Sequence, residues 1–320
     1  MKFINMKLQK KGLIFKPKGN KPWSLSHAQV PFAFKLNEDV IRVFYATRDA
    51  NSCTSTSFVD LSYNDPSQVL KEYDKYSISK GEKGSYDDSG VMPSWVIKDG
   101  KKLRLYYTGW NKSEEASYRL SIGIAESNDC GLSFHKLFKG PILDRSIHDP
   151  IWVGQPCVLK EGNNWKMWYL SCEKIEIIND HPEPFYNVKY ASSKDGISWE
   201  RKNIICIDFE DEITDAIGRP CVWKYKGYYF MLHSNRKAHG YRTQIESSYS
   251  INLSKSKDGF NWRNIDAFRM QKTGDDTWDG MMNEYCSVLE TKRHGVFYVF
   301  YNGNGFGASG FGYFILDLNE

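Results

Sequence analysis

One segment recurs five times along this chain at a nearly constant pitch, and no other feature limits the fold as strongly. Each copy passes from a small or polar lead-in, through a marker residue, into an apolar run, a polar turn and an aromatic strand. The copies are Gln29-Val-Pro31, Val91-Met-Pro93, Gly154-Gln-Pro156, Gly218-Arg-Pro220 and Asn283-Glu-Tyr285. Their markers at 31, 93, 156, 220 and 285 are separated by 62, 63, 64 and 65 residues. A fixed period of this size marks a repeat architecture, in which each unit completes its core only against its neighbours.

Each marker is followed by runs dense in aromatic and β-branched residues, such as Val40-Ile-Arg-Val-Phe44, Trp165-Lys-Met-Trp168 and Val296-Phe-Tyr-Val-Phe300, which read as strands. A third strand ends in a tight turn at Asp129, at Asp195-Gly196 and at Asp258-Gly259. An Asp-Gly pair supplies the positive φ that such a turn needs. Four antiparallel strands repeated radially make a propeller blade, so the chain is predicted to be all-β: a five-bladed β-propeller in one domain over residues 1–320. The last blade is one strand short at its C-terminal end. The N-terminal stretch from Lys7 is expected to pair there as the outer strand and close the ring.

Composition narrows the function. With 43 basic and 39 acidic residues spread along the chain, net charge is +4, and neither nucleic acid nor membrane insertion is expected. The seven cysteines form no C-x-x-C pair. They read as reduced thiols, with no metal and no cofactor predicted. The N-terminus lacks the apolar stretch of a secretion signal, so a cytoplasmic location is expected. Oligomeric state is not encoded in any pattern here.

In a propeller, the residues before each inner strand and those after each second strand converge on one mouth. The first set holds His27, Gln29, Asp87, Asp88, Gln155, Asp215, Arg219, Asn283 and Glu284. The second holds Arg48, Asp49, Trp110, Glu173, Arg236 and Asn302. Just before the markers stand Val30, Met92, Gln155, Arg219 and Glu284, and a purely structural repeat has no need of such variety. His239, on a long basic insertion of the fourth repeat, is expected to flank the mouth.

The Leu105-Tyr-Tyr-Thr-Gly109 and Met167-Trp-Tyr-Leu-Ser171 strands, the x-Pro starts and the Ser-Lys-Asp-Gly-x-x-Trp turns resemble the five-bladed propeller glycosidase superfamily. That group includes glycoside hydrolase families 43, 32, 68 and 117 and the family 130 mannoside phosphorylases. The resemblance covers nearly the whole chain and fits the superfamily rather than one family. It implies two carboxyl groups flanking a glycosidic bond, one as acid and the other as base or nucleophile. In the phosphorylases it implies one acid, with basic side chains holding phosphate. The sequence departs from both patterns: His27 and Gln29 stand where an Asp is expected, Gln155 where the hydrolases place Glu, and Met92-Pro93-Ser94 where the phosphorylases have Asp-Pro-Arg.

The expected working pair is Asp88 and Glu284, with Arg48, Arg219 and Arg236 orienting an anionic part of the substrate. His27, Asp49, Asp87, Trp110, Gln155, Glu173, Asp215, Asn283 and Asn302 complete the binding set. The predicted activity is cleavage or transfer of a glycosyl group on a small carbohydrate or sugar phosphate, with surface-polysaccharide metabolism as one setting. The alternatives are a phosphorylase or glycosyltransferase acting on an activated sugar, and a non-catalytic carbohydrate-binding propeller.

Overall fold

The computed structural model describes residues 6–210 and 214–319; the first five residues, ahead of the stretch expected to close the ring, lie outside that range. Strands come in groups of four. The first group is β2 (Ser26–Lys35), β3 (Val40–Arg48), β4 (Thr54–Ser62) and β5 (Val69–Glu72), preceded by β1 (Lys7–Phe15). The second is β6 (Gly90–Asp99), β7 (Lys102–Ser113), β8 (Ser117–Ser127) and β9 (His135–Lys136). The third is β10 (Trp152–Glu161), β11 (Asn164–Ile178), β12 (His181–Ser193) and β13 (Glu200–Ile207). The fourth is β14 (Ala216–Tyr225), β15 (Tyr228–Arg236), β16 (Ser250–Ser256) and β17 (Arg263–Asn264). The fifth has only β18 (Glu284–Glu290), β19 (Val296–Asn302) and β20 (Phe311–Asp317), and β1 pairs antiparallel with β20 as its outer strand.

Five apolar clusters lie between successive groups. Phe44 meets Leu105 between the first and second, Tyr106 meets Met167 between the second and third, and Trp168 meets Met231 between the third and fourth. Leu232 meets Val299 between the fourth and fifth, and Phe300 meets Val43 between the fifth and the first. Because both faces of the middle strands are covered, these strands read as unbroken apolar runs rather than alternating ones. Each fully buried large side chain contributes about 1.5–3 kcal/mol.

A second repeat holds each group from inside. Asp87, Asp149 and Asp279 each lie six residues before the bulge of the following inner strand and accept a hydrogen bond from Tyr107, Tyr169 and Tyr301, at 3.2, 3.1 and 2.7 Å. Each is also paired with a cation on the outer strand: Lys136 on β9, Arg201 on β13 and Lys10 on β1. Lys10 therefore does for the fifth group what Lys136 and Arg201 do for theirs. Asp87, read from sequence as a binding residue, is here a buried structural carboxylate.

The inner strands carry a bulge whose register corrects the sequence alignment. Pairing resumes after it at Phe32, Trp95, Cys157, Cys221 and Ser287, each three residues beyond Gln29, Met92, Gly154, Gly218 and Glu284. The first positions of the bulge are thus Val30, Pro93, Gln155, Arg219 and Tyr285, of which Pro93 alone keeps a register partner, Tyr107, so the second and fifth repeats shift by one residue from the expected alignment. Four of the five have positive φ, between 44° and 57°. That conformation costs a non-glycine residue roughly 1–3 kcal/mol and persists only where its surroundings hold it.

The holding groups come from the preceding second strand. Val30 N–H donates to Asn302 Oδ1, Gln155 N–H to Thr108 Oγ1 and Tyr285 N–H to Ser234 Oγ, all at 2.8–2.9 Å. Pro93 has no N–H to satisfy. Among the described residues no helix is long and apolar enough to cross a membrane.

Candidate active site

A pocket of about 280 Å³ opens beside these bulges. Its wall includes Gln29, Arg48, Trp110, Gln155 and Arg236 from the predicted set. Arg48 Nε donates to Gln29 Oε1 at 2.9 Å, and Gln29 in turn reaches the Met92 sulfur at 3.1 Å. Trp110 is fixed by its ring N–H, which donates to Thr54 Oγ1 at 2.8 Å. Such a volume sits at the lower edge of the roughly 300–1,000 Å³ usual for small-molecule sites, on the scale of one or two sugar rings.

Sequence reasoning missed a second part of the wall. His181, Pro182 and Pro184 reach it because β11 and β12 extend into a long hairpin, and Tyr241 and Arg242 come from the insertion after β15. His239 on that insertion is not part of the lining. Glu183 is buried in the hairpin, where it is paired with both Arg242 and His181. This fastens the hairpin of the third group to the insertion of the fourth. The one available signal was the break in the repeat itself, since both segments exceed their counterparts in length.

Arg236 is the hub of this wall. Its guanidinium donates to Tyr249 Oη at 3.2 Å and to the carbonyls of Pro184 and Lys237, and it lies 4.1 Å from the Tyr241 ring centre. The rings of Tyr186 and Tyr249 lie 5.5 and 5.9 Å from it, and Tyr285 packs against Tyr249. Burial works against its charge, but the oxygens of Tyr186, Tyr249 and Tyr241 outweigh that and hold the guanidinium protonated.

Glu284 lies fully buried beside this wall rather than in the lining. Its Oε1 accepts a hydrogen bond from Asn302 Nδ2 at 2.9 Å, while Oε2 has no partner among the described residues. Burial pushes the carboxyl well above the usual range. The hydrogen bond from Asn302 and the charges of Arg236 and Arg48 offset only part of that shift. Burial thus favours the protonated form, the form that a general acid needs. Asn283, also buried, leaves both side-chain polar atoms without a partner among the described residues. Such atoms cost about 1–3 kcal/mol each, which a fold tolerates chiefly at functional sites.

The other expected residues sit elsewhere. Asp88 Oδ2 accepts from Gly84 N–H and Oδ1 from Ser89 Oγ, which shapes a turn outside the lining. Asp49 closes a turn by accepting from the N–H groups of Asn51 and Cys53. Glu173 pairs with Lys189, Asp215 accepts from Ala238 N–H, and His27 bonds Ser26. Burial lowers the His27 pKa to about 4, so the ring is neutral.

Arg219 departs furthest from expectation. Its guanidinium is buried at the centre of the fold, where it donates to the carbonyls of Cys286, Pro93, Pro31 and Ser94 at 3.1–3.5 Å. It ties the inner strands of the first, second and fifth groups to the fourth. No ion pair joins it to Glu284 among the described residues.

The lining consequently presents three arginines, several aromatic rings and no Asp or Glu among the described residues. Such a surface can grip an anion through fork-shaped hydrogen bonds while a ring stacks on an apolar sugar face.

No protein-family profile matches the sequence. The fold is shared with solved glycoside hydrolases. A complex of BT0996 with RGII superposes with a TM-score of 0.73 at 17% identity, over 96% of this chain and 90% of the other. A second glycoside hydrolase gives 0.73 at 16% identity over the same shares. A family 130 structure, from a group described as mannoside phosphorylases that contains hydrolases of β-1,2 mannosidic linkages in Candida mannan, gives 0.64 at 14% over 97% and 93%. In sequence, the Mycobacterium tuberculosis proteins MT1551 (strain CDC 1551 / Oshkosh) and Rv1502 (strain ATCC 25618 / H37Rv) are each 30% identical over 312 residues, 98% of this chain and 100% of theirs. This protein belongs to the family of these two uncharacterized mycobacterial proteins, and it carries the fold of the propeller glycosidases.

Proposed function

We propose that this protein is a carbohydrate-active enzyme that breaks or forms a glycosidic bond with an anionic partner, phosphate or a phosphorylated sugar, held between Arg48 and Arg236. The carrying observation is a pocket lined by Arg48, Arg236 and Arg242 with no carboxylate among the described lining residues, beside one buried carboxyl, Glu284. Hydrolysis by a carboxylate pair needs two acids across the bond. Phosphorolysis needs one, because phosphate is itself the nucleophile. The reading therefore uses Glu284 as the acid and leaves Asp88 to its turn.

The same reading takes the fold as a single five-bladed propeller over residues 1–320, with its ring closed by β1. The cluster between the fifth and first groups and the Lys10–Asp279 pair support it. The seven free cysteines favour a reducing compartment, the cytoplasm. A second reading, a sugar-binding propeller without turnover, draws on the same lack of lining carboxylates.

Proton NMR of the anomeric region separates them. Oligosaccharides and glycosyl phosphates are incubated with the protein, with and without phosphate. Product that requires phosphate and disappears in Glu284→Gln supports the proposal. Product indifferent to phosphate points to hydrolysis, and binding without product points to the second reading.

A further inference from the structure

One aromatic ring in the pocket lining stands where the backbone alone calls for glycine. Between β19 and β20 the chain makes a short turn at Asn304–Gly307, in which Gly305, Phe306 and Gly307 take positive φ of 64°, 59° and 87°. Glycine adopts this conformation freely, whereas a bulky side chain is strained there and persists only where its surroundings hold it. Val30, Gln155 and Tyr285 take positive φ from the bulge of the repeat, but Phe306 lies outside any bulge. The turn is held from two sides. Asn304 Oδ1 accepts from the N–H groups of Met281 and Met282 at 3.0 and 2.9 Å, and Ser309 Oγ donates to the Trp278 carbonyl at 2.6 Å. At its other end Gly307 presses on β2, where a Cβ would meet Ala28 O and Gln29 Cα at 2.9 Å. Gln29 is the partner of Arg48. The Phe306 ring itself meets Tyr241 and Tyr249 edge-on, with centres 6.2 and 6.4 Å apart, and both tyrosines contact Arg236. The turn therefore ties the surroundings of the two arginines together, and it leaves the ring half-buried in the pocket lining.

We propose that Phe306 is a stacking platform for the sugar ring of the substrate. The pocket then takes a glycosyl phosphate whose phosphate lies on the arginines and whose apolar C–H face lies on this ring. The inference rests on the enzymatic reading above and names its substrate class. A bare phosphate would touch the arginines and gain nothing from an aromatic side chain. A pyranose carries C–H groups on the faces of its ring; the negative face of an aromatic ring attracts them, and both surfaces shed water on contact. Because the turn is anchored at both ends, the ring is ordered before the sugar arrives and loses little freedom on binding. This accounts for a phenylalanine between two glycines: the backbone needs none of its bulk, and the bound sugar does.

The test titrates inorganic phosphate and the 1-phosphates of glucose, galactose and mannose into the full-length protein by calorimetry. At least one glycosyl phosphate is expected to bind the wild type more tightly than inorganic phosphate. Phe306→Gly relieves the strain and removes the ring. It should weaken that glycosyl phosphate by about tenfold or more and leave inorganic phosphate within about twofold. Phe306→Tyr should keep the wild-type preference. If Phe306→Gly unfolds the protein, Phe306→Asn removes the ring with another residue that tolerates positive φ, and must give the same loss. A loss shared equally by glycosyl and inorganic phosphate means that the ring only supports Arg236, and overturns the platform. So does a wild type that prefers none of the three sugars to phosphate alone. If no phosphate compound binds, the phosphate reading fails, and the methyl glycosides of the same sugars decide the platform. Binding that Phe306→Gly abolishes keeps it; binding that ignores the substitution, or no binding, overturns it.

Discussion

The outer turns and the inner bulges lie in the same five repeats, yet one set repeats its residues and the other does not. Ser127 with Asp129, Ser193 with Asp195 and Ser256 with Asp258 are wired alike, the serine hydroxyl donating to the aspartate and accepting a turn N–H. Each turn latches onto the preceding strand group. Arg42 donates to the Cys130 carbonyl at 2.7 Å, Tyr106 to that of Gly196 at 2.8 Å and Trp168 to that of Gly259 at 2.8 Å. At the bulges, Gln29, Met92, Gly154, Gly218 and Glu284 occupy equivalent places and share no chemistry. Packing asks the same question of the second, third and fourth repeats and receives the same answer; the pocket asks a different one of each.

Substitutions can break this contrast from either side. The largest effect is expected at a latch. Trp168→Ala removes a buried ring from the core between the third and fourth groups together with the bond to Gly259, and should cost about 3–5 kcal/mol in urea unfolding.

Glu284→Gln should act in the opposite sense, because a buried carboxyl oxygen without a partner among the described residues is held at the expense of stability. Its carboxyl is raised by burial, so its stabilising contribution is complete below the unfolded pKa near 4.5 and is lost as pH rises. At pH 7 the glutamine variant should be more stable than the wild type by about 1–2 kcal/mol, the scale of one unmet buried group. The difference should shrink toward pH 4, as followed by thermal unfolding across that range.

Lys10→Met tests whether β1 belongs to the repeat. Removing the partly exposed partner of Asp279 should cost about 1 kcal/mol, measured in urea, with Lys136→Met giving a similar value at Asp87.

The smallest change belongs to the exposed face of a latch. Backbone N–H groups of Ile197 and Ser198 hold the Asp195 carboxyl down to about 2. Its contribution is present above the unfolded value near 3.8 and fades as pH falls toward 2. Asp195→Asn should therefore flatten only that acid limb, read from the urea midpoint at several pH values.

These effects mirror what could be read in the sequence. The pitch, the aromatic second strands, the Asp-Gly turns and the pairing of the Lys7 segment all follow from repetition, which the sequence displays directly. The bulge register was hidden because Pro93 sits at the bulge itself whereas Pro31, Pro156 and Pro220 follow it, so aligning prolines shifted one repeat. Tyr285 shifted another, by standing in for Cys286. Asp87 and Asp88 looked functional as neighbours, but only the fold shows the first answering Tyr107 and Lys136 and the second closing a turn. Arg48, Trp110, Gln155 and Arg236 line the pocket, as strand ends that meet at one mouth should. Tyr241, Arg242 and His181 were not, since they lie where the repeat lapses and position no longer predicts place.

The central claim, an anion held between Arg48 and Arg236, is tested most directly by calorimetric titration of a glycosyl phosphate, with the unphosphorylated sugar alongside, into the wild type and Arg236→Met. The account predicts that the phosphorylated sugar binds the wild type more tightly than the neutral one, and that Arg236→Met abolishes this advantage with a loss of at least about tenfold. Equal affinity for the charged and neutral sugars, unchanged by the substitution, would contradict it.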